Sequence, residues 1–135
     1  MNVSDPSRIV ADFIERINKH DVEGLTGLMS ADHLFIDSLG SSLRGREAMR
    51  RAWIAYFHMI PDYSIESREV IRNGDTVGVF GIARGTFSSD GTLDPKNQWE
   101  MPAAWRAVVK EGQIAEWQVY ADNEPVRRIM ATYED

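Results

Sequence analysis

The segment from residue 34 to residue 45 carries the side chain best suited to acid–base chemistry. A short apolar run ends in Asp37, a turn of small residues follows, and a helical pattern begins at Arg46. A carboxylate at the edge of an apolar interior can take a proton beside a carbonyl and return it, because burial tunes its proton affinity. The alternative is an aspartate that stabilises only its own turn, since Asp is common in turns. The residues alone leave both interpretations of Asp37 open.

The other reactive side chains support fewer kinds of chemistry. The chain has no cysteine, which excludes disulfides and thiolate metal sites. Its histidines are His20, His33 and His58, and no group of His, Asp and Glu has the spacing of metal ligands. His33 lies four strand residues, or about 13 Å, from Asp37, which is too far for a hydrogen bond. We therefore predict no metal and no cofactor, and we expect His20 to be solvated.

Charge and composition exclude several classes of partner. The 135 residues carry a formal net charge of −6 and a pI of about 5.0, which argues against a surface that binds nucleic acid. No apolar run approaches the ~20 residues of a membrane span. Residues 1–5 lack the basic and apolar pattern of a signal peptide. We expect one domain over residues 1–135 in a soluble, cytoplasmic protein.

The spacing of apolar residues changes from helical to strand-like along the chain. Positions three and four apart predict helices in the first half, and alternation predicts strands in the second half. Helices followed by an antiparallel meander indicate an α+β fold with the sheet curved around the helices. The predicted helices cover 6–19, a short segment capped by Asp21 with Leu25, Leu28 and Met29, 46–60 and 125–133; the predicted strands cover 33–37, 63–71, 76–87, 99–109 and 114–121.

This order of elements, with Asp21, the turn from Asp37 to Gly45 and the hairpin Glu111-Gly112-Gln113-Ile114, resembles the nuclear transport factor two-like superfamily. More narrowly, residues 7–130 are similar to SnoaL-like and ketosteroid-isomerase-like members. The resemblance implies a cone-shaped α+β barrel, with the N-terminal helices packed in the concave face of a curved, mostly antiparallel sheet. It also implies an apolar pocket. The superfamily includes isomerases, cyclases, dehydratases, epoxide hydrolases and non-catalytic binding modules.

The resemblance assigns roles to two aspartates. It places Asp37 at the general base of ketosteroid isomerases, and Asp122 near the functional aspartate of SnoaL-like cyclases and epoxide hydrolases. Asp122 also precedes the terminal helix, so a helix cap is its alternative role. Phe13 and Ala104 stand where the isomerases carry the tyrosine and the protonated aspartate of their oxyanion hole, and neither side chain donates a hydrogen bond. Loss of one such donor costs about 10²–10³ in rate, so we do not expect steroid isomerisation.

For the strand that contains Glu100, two arguments disagree about which side of the strand faces the pocket. Alternation groups Trp99 and Trp105 in one apolar row, whereas the resemblance turns the other row, with Glu100, towards the pocket. Both hold if the tryptophan row covers a homodimer interface on the outer face of the sheet, because a monomer would otherwise expose two tryptophans. We therefore expect a homodimer through Trp99 and Trp105. Glu100 is then a third acid near the cavity, or a rim residue paired with Arg84 or Arg106.

An apolar wall completes the predicted site. Residues at helical spacing on the third helix are typical of a core, and in a cone fold the core and the pocket wall are one surface. The expected function is a cofactor-independent isomerase, cyclase or dehydratase that acts by proton transfer on a small apolar carbonyl compound. A non-catalytic module for ligand binding or dimerisation is the alternative. The predicted catalytic residues are Asp37 and Asp122, and the predicted pocket residues are Phe13, Phe35, Met49, Trp53, Phe57, Glu100 and Trp117.

Overall fold

The computed structural model describes residues 5–134. No helix in that range is both long and apolar enough to cross a membrane. The helices are α1 (Pro6–Asn18), α2 (Val22–Gly27), α3 (Arg46–Met59) and α4 (Glu124–Ala131), with a short 3-10 helix at Pro95–Asn97. The strands are β1 (Met29–Ile36), β2 (Ser42–Arg44), β3 (Ser64–Asn73), β4 (Thr76–Thr86), β5 (Gln98–Lys110) and β6 (Gln113–Ala121).

One curved sheet contains these six strands in the order β2-β1-β6-β5-β4-β3. Neighbouring strands are antiparallel except β1 and β6, which are parallel, with Phe35 opposite Trp117. The strand that comes last in the sequence therefore lies between β1 and the long meander of β3, β4 and β5. The predicted fold class is confirmed: the helices pack against a curved, mostly antiparallel sheet in an α+β cone.

Capping side chains fix where the first two helices begin. Asp5 accepts a hydrogen bond from the Ser7 amide at 3.0 Å, and Pro6 occupies the first turn of α1. Asp21 caps α2 by accepting from the Gly24 amide at 2.9 Å. This bond, helped by Arg16, lowers the pKa of Asp21. The start of α2 agrees with the Asp21 cap that the sequence predicts.

The core lies between α1, α3 and the concave face of the sheet. Phe13 of α1 is fully buried, and its ring meets Trp117 of β6 edge-on, with 4.9 Å between the ring centroids. Met49 of α3 and Ile60, the C-cap of α3, are also buried. Burial of each such side chain stabilises the fold by roughly 1.5–3 kcal/mol. This packing holds α1 and α3 across the sheet and fixes their distance from it.

The structure differs from the predicted elements at three places. β1 begins at Met29 rather than at residue 33, because α2 ends at Gly27 and Leu28 is its C-cap. β2 is an additional strand that pairs with the end of β1, and three residues are too few to show a period. The 3-10 helix lies where the sequence predicts an irregular loop.

The predicted facing of β5 is wrong. Trp99 and Trp105 are 7% and 1% exposed and belong to the core, whereas Glu100 lies exposed on the outer face of the sheet. Trp99 and Trp105 therefore cannot form an interface on that outer face. Alternation alone predicts the observed facing; the alignment implied by the family resemblance is shifted by one residue, which turns every side chain of a strand to the opposite face.

Candidate functional site

A cavity of about 320 Å³ lies between α3, α4 and the concave face of the sheet. Its wall is largely apolar: α3 contributes Met49, Trp53 and Tyr56, and β5 contributes Trp99 and Met101. The cavity thus uses one side of α3 and the inward row of β5. It is large enough for a ligand of two or three fused rings.

One end of the cavity is polar and partly open to solvent. We call this end the polar mouth; it consists of Asp37, Ser38, Asn123 and Arg127. Arg127 lies on α4 and donates to Glu124 of the same helix at 3.0 Å, so part of its charge is already neutralised. The mouth therefore offers one carboxylate, that of Asp37, beside an apolar interior.

The carboxylate of Asp37 stabilises its own turn with one oxygen only. Its Oδ1 accepts hydrogen bonds from the amides of Leu39 at 2.9 Å and Ser41 at 3.0 Å. The Asp37 amide donates to the Ser41 carbonyl at 2.9 Å and closes the turn. Oδ2 takes no hydrogen bond from the described residues 5–134. The turn therefore orients the carboxylate at the mouth and leaves one oxygen free for a ligand.

Another part of the cavity wall is aromatic and buried. We call it the aromatic end; it consists of Trp53, Tyr63 and Trp99, each 7% exposed. Tyr63 lies between the two indoles, with ring centroids 6.5 Å from Trp53 and 6.1 Å from Trp99. Tyr56 packs edge-on against Tyr63 at 5.0 Å. Rings in such contact form a rigid wall that suits a flat apolar ligand.

Burial controls the ionisation of the two tyrosines in this wall. It raises the pKa of Tyr56 above its usual value, and it raises the pKa of Tyr63 well above that value. Both phenols are consequently neutral at neutral pH. Among titratable side chains in the cavity wall, the charge belongs to Asp37 and Arg127, and both lie at the polar mouth.

Two polar groups at the aromatic end have no protein partner. The indole N–H groups of Trp53 and Trp99 are buried, and no acceptor among the described residues lies within hydrogen-bond range. A buried donor without an acceptor costs about 1–3 kcal/mol, so such groups are few in native proteins. Trp105 does not line the cavity, and its indole N–H lies beside the Tyr63 hydroxyl, where it opposes the effect of burial on the pKa of Tyr63.

The predicted pocket residues divide into two layers. Phe35, Met49, Trp53 and Trp117 line the cavity. Phe13 and Phe57 lie behind this wall rather than in it. Phe57 stacks on His20 with 4.0 Å between ring centroids. His20 is therefore not simply solvated as expected, and its Nε2 also donates to the Tyr63 carbonyl at 2.9 Å.

Two predicted site residues lie outside the cavity wall. Asp122 is exposed, and its Oδ1 accepts from the Glu124 amide at 3.0 Å, which is its alternative role at the start of α4. Glu100 is a correction to the predicted pocket: on the outer face of β5 it pairs with Arg84 at 2.5 Å. Glu100 lies outside the cavity because its side of β5 faces outward, opposite to the predicted orientation.

Sequence reasoning missed three aromatic residues of the wall: Tyr56, Tyr63 and Trp99. Tyr56 was recoverable, because residues 49, 53 and 56 follow helical spacing as well as residues 49, 53 and 57 do. Trp99 was recoverable from alternation on β5. Tyr63 precedes β3 in the link from α3, and no periodic signal reports where such a residue points.

A second groove, of about 340 Å³, lies beside β1, β2 and the β5–β6 turn. Its lining includes the exposed charges of Asp32, Arg44, Lys110 and Glu111. Water screens exposed charges of both signs, and such a surface selects a small apolar ligand poorly. No group of three or more His, Asp and Glu side chains within residues 5–134 is arranged to hold a metal ion.

A sequence model of the SnoaL-like domain matches residues 10–117, from α1 into β6. The chain belongs to the SnoaL-like domain family. The matched region holds the turn of Asp37, all of α3 and the aromatic end of the cavity. A search of curated proteins finds no match to the chain.

Solved structures share the SnoaL-like fold over nearly the whole chain. IdmH from Streptomyces antibioticus, a proposed polyketide cyclase, is 24% identical, with 94% of this chain and 99% of that chain covered and a TM-score of 0.76. A proposed polyketide cyclase from Xanthomonas campestris pv. campestris is 18% identical, with coverages of 96% and 99% and a TM-score of 0.81. A ketosteroid isomerase-like protein from Catenulispora acidiphila, solved in complex with trimethylamine, is 21% identical, with coverages of 87% and 88% and a TM-score of 0.76. These likenesses show the fold.

The facing of β5 also changes the comparison with the oxyanion hole of ketosteroid isomerases. Ala104 faces outward in this SnoaL-like protein, and its neighbour Ala103 lines the cavity instead. Neither alanine side chain has a hydrogen-bond donor. Phe13 is fully buried and has none either. A donor for a developing oxyanion must therefore come from other residues.

Proposed function

We propose that this SnoaL-like protein is a cofactor-independent enzyme that moves a proton on an apolar carbonyl compound held in the cavity. Asp37 is the proton-transfer group. It takes the proton from a carbon beside the carbonyl and returns it to another carbon, or to the leaving oxygen, of the same molecule. Isomerisation, aldol cyclisation and dehydration all begin with that abstraction.

One observation carries the proposal: Asp37 lies at the mouth of an apolar cavity, and its Oδ2 takes no hydrogen bond from residues 5–134. The two amides that bind Oδ1 fix the position of the carboxylate, and a fixed base near its target lowers the entropic part of the barrier. The apolar wall behind it accommodates the hydrocarbon part of the substrate. The family includes proteins proposed to be polyketide cyclases, whose name implies a carbonyl-rich substrate.

The test measures deuterium uptake by a ketone in D2O. 2-Tetralone is a suitable probe, because its acidic carbon lies beside both a carbonyl and an aromatic ring. We expect the protein to accelerate exchange at that carbon. Asp37→Asn keeps the shape and the turn acceptor but removes the base, so the catalysed rate should fall by about 10²–10⁴-fold while 2-tetralone binding stays within about twofold. Nuclear magnetic resonance follows both quantities.

Asp90→Asn is the matched control. Asp90 also binds the backbone of its own turn, through the Thr92 amide at 3.0 Å, but lies on an exposed loop outside the cavity wall. It should leave exchange unchanged. Equal exchange rates in the protein and in Asp37→Asn would contradict the assignment of Asp37 as the base.

The second candidate function is a binding module without catalysis. The observation that favours it is the double hydrogen bond at Oδ1, which alone accounts for an aspartate at this turn position. This candidate predicts tight binding of 2-tetralone, no accelerated exchange, and the same affinity in Asp37→Asn. The exchange experiment therefore separates the two candidates directly.

A further inference from the structure

Helix α4 forms one side of the cavity but is held less firmly than α1 and α3. Val126, Arg127 and Met130 of α4 line the cavity, and no residue of α4 is fully buried. By contrast, α1 and α3 each bury several side chains. The ion pairs of α4 are internal, since Arg127 and Arg128 both bind Glu124. The helix therefore covers the ligand space without burying a side chain of its own.

One side-chain hydrogen bond joins the end of the chain to the rest of the protein. Asn97 Nδ2 donates to the Tyr133 hydroxyl at 2.6 Å, and the Tyr133 ring packs on Phe87 with 5.1 Å between the ring centroids. Every other side-chain hydrogen bond that the described residues of the segment 122–134 make stays within that segment. We call Phe87, Asn97 and Tyr133 the latch. At its other end, α4 follows directly from β6.

The half of the latch that belongs to residues 87–97 is fixed. Asn97 is 5% exposed, and its Nδ2 also donates to the Phe87 carbonyl at 3.2 Å. The Phe87 amide donates in turn to the Asn97 carbonyl at 3.1 Å. Tyr133 is 43% exposed, so water can replace the partner of its hydroxyl when the ring leaves. Opening of the latch therefore costs one neutral hydrogen bond and one ring contact, which are small terms.

We propose that α4 is a lid on the cavity, which swings about its junction with β6 and is held shut by the latch. In the open state the α4 side of the wall is absent, so a flat ligand can enter the cavity. In the closed state Val126 and Met130 cover the ligand. Lid motions of this kind take microseconds to milliseconds. The inference rests on the cavity being the ligand site of the proposed function, but not on catalysis by Asp37.

A lid changes the rates of ligand binding more than the affinity. The ligand enters the open state and is held in the closed state, so the latch slows entry and release by the same factor. Tyr133→Phe keeps the ring on Phe87 and removes the hydroxyl, which should make the open state about 2- to 10-fold more populated. Association and dissociation of 2-tetralone should both accelerate by that factor, while Kd stays within about twofold. Stopped-flow tryptophan fluorescence measures both rates, because Trp53 and Trp99 line the cavity.

An introduced thiol reports opening without a ligand, since the chain has no cysteine. Ala103 lines the cavity and is 9% exposed, whereas Ala107 on the same strand is fully buried outside the cavity wall. Monobromobimane, a neutral reagent of two fused rings, should label Ala103→Cys at least about 100-fold faster than Ala107→Cys, which reacts only after global unfolding. Low urea should raise only the Ala107→Cys rate, because global unfolding exposes far more surface. Addition of Tyr133→Phe should raise the Ala103→Cys rate about 2- to 10-fold.

Tyr120→Phe is the matched control for the loss of a hydroxyl. Tyr120 is 52% exposed on β6 and lies outside the cavity wall, so the rates of binding and of labelling should not change. Equal rates in the protein and in Tyr133→Phe would overturn the lid. Faster dissociation alone would overturn it as well, because the hydroxyl would then act on affinity rather than on opening.

The labelling experiment needs no ligand, so this inference and the proposed function fail separately. Labelling that depends on the latch, without Asp37-dependent exchange, would support the lid and contradict the enzyme. Exchange that depends on Asp37, with labelling unchanged by Tyr133→Phe, would support the enzyme and contradict the lid. Labelling of Ala103→Cys and Ala107→Cys at equal rates with equal urea dependence would contradict the lid, because the cavity would then open only by global unfolding.

Discussion

Asp37 combines two roles that the sequence presents as alternatives. Its Oδ1 accepts the hydrogen bonds of the turn, and its Oδ2, at the polar mouth, has no donor among the described residues. The residue type and the apolar run before it were enough to predict its position. The division of labour between the two oxygens depends on the path of residues 38–41, which no periodic pattern encodes. At the residue scale, the sequence therefore predicts where the site lies, whereas the backbone of residues 38–41 determines how the carboxylate is oriented.

His33 is a buried histidine that the proposed chemistry does not use. Its Nδ1 donates to the Ile114 carbonyl at 2.7 Å, and Nε2 is buried without a partner among the described residues. Burial lowers the pKa of His33, although the charges of Asp32 and Glu116 oppose the change. The imidazole is therefore a neutral link between β1 and β6.

This burial makes stability depend on pH. Below the unfolded-state pKa of about 6.5 the unfolded chain binds a proton that the folded protein rejects, so the free energy of unfolding decreases as pH falls through that value. We expect a loss of up to about 1.4 kcal/mol per pH unit until the folded pKa is reached. Urea unfolding between pH 7.5 and 5.5 measures it.

Two variants isolate the contribution of His33. His33→Gln should remove this part of the pH dependence, whatever it does to stability at pH 7.5. His58→Gln, at an exposed position of α3, should keep the full dependence. An unchanged slope in His33→Gln would show that other groups cause the loss.

At the scale of elements, a shift of one residue along β5 decides whether its tryptophans face the core or the outside of the sheet. Alternation predicted that Trp99, Met101 and Trp105 share a face, and they do. The error came from assigning that face to the outside, because a shift of one position exchanges the two faces of a strand. Because both tryptophans are buried, they cannot form the predicted dimer contact. Trp99 instead contributes to the aromatic end of the cavity.

The turn that begins α3 depends on a glycine. Gly45 has φ 107° and ψ 140°, a combination that residues with a Cβ rarely adopt. Its amide donates to the His33 carbonyl at 2.8 Å, which ties the turn of Asp37 to β1. Gly45→Ala should lower the free energy of unfolding by about 1–3 kcal/mol, as measured by urea titration.

Gly27→Ala is the control for this prediction. Gly27 is the last residue of α2, and a Cβ added there would meet no other atom within 4 Å. Its backbone is not in the left-handed region. Alanine should be neutral or stabilise by up to about 1 kcal/mol. Equal destabilisation by both variants would mean that the backbone angle of Gly45 is not the cause.

At the scale of the whole molecule, the outer face of the sheet keeps an apolar row. Phe80, Ala104 and Tyr120 lie side by side on β4, β5 and β6, and Phe80 and Tyr120 are 43% and 52% exposed. The ion pairs of Glu100 with Arg84 and of Arg106 with Glu116 flank this row. A second copy related by a two-fold axis would therefore meet apolar groups at the centre and both signs of charge around them.

We propose that the expected homodimer uses this outer row. Sedimentation should then give twice the chain mass of 15.3 kDa, and Tyr120→Glu should give one chain mass, because a charge would be buried at the centre of the interface. Leu93→Glu, which changes an equally exposed residue on a loop, should remain dimeric. A single chain mass for the unmodified protein would contradict the homodimer.

The position of β6 also sets the order in which the chain can fold. Phe35 on β1 pairs with Trp117 on β6, so the two halves of the sheet can join only after β6 has left the ribosome. Until then β1 and β5 lack β6, the strand that lies between them. Their apolar side chains are exposed to solvent, and exposed apolar surface favours aggregation. Contacts between such distant residues also slow the search for the native state. Sheet closure during synthesis should therefore be late, and sensitive to chaperones that shield the earlier strands.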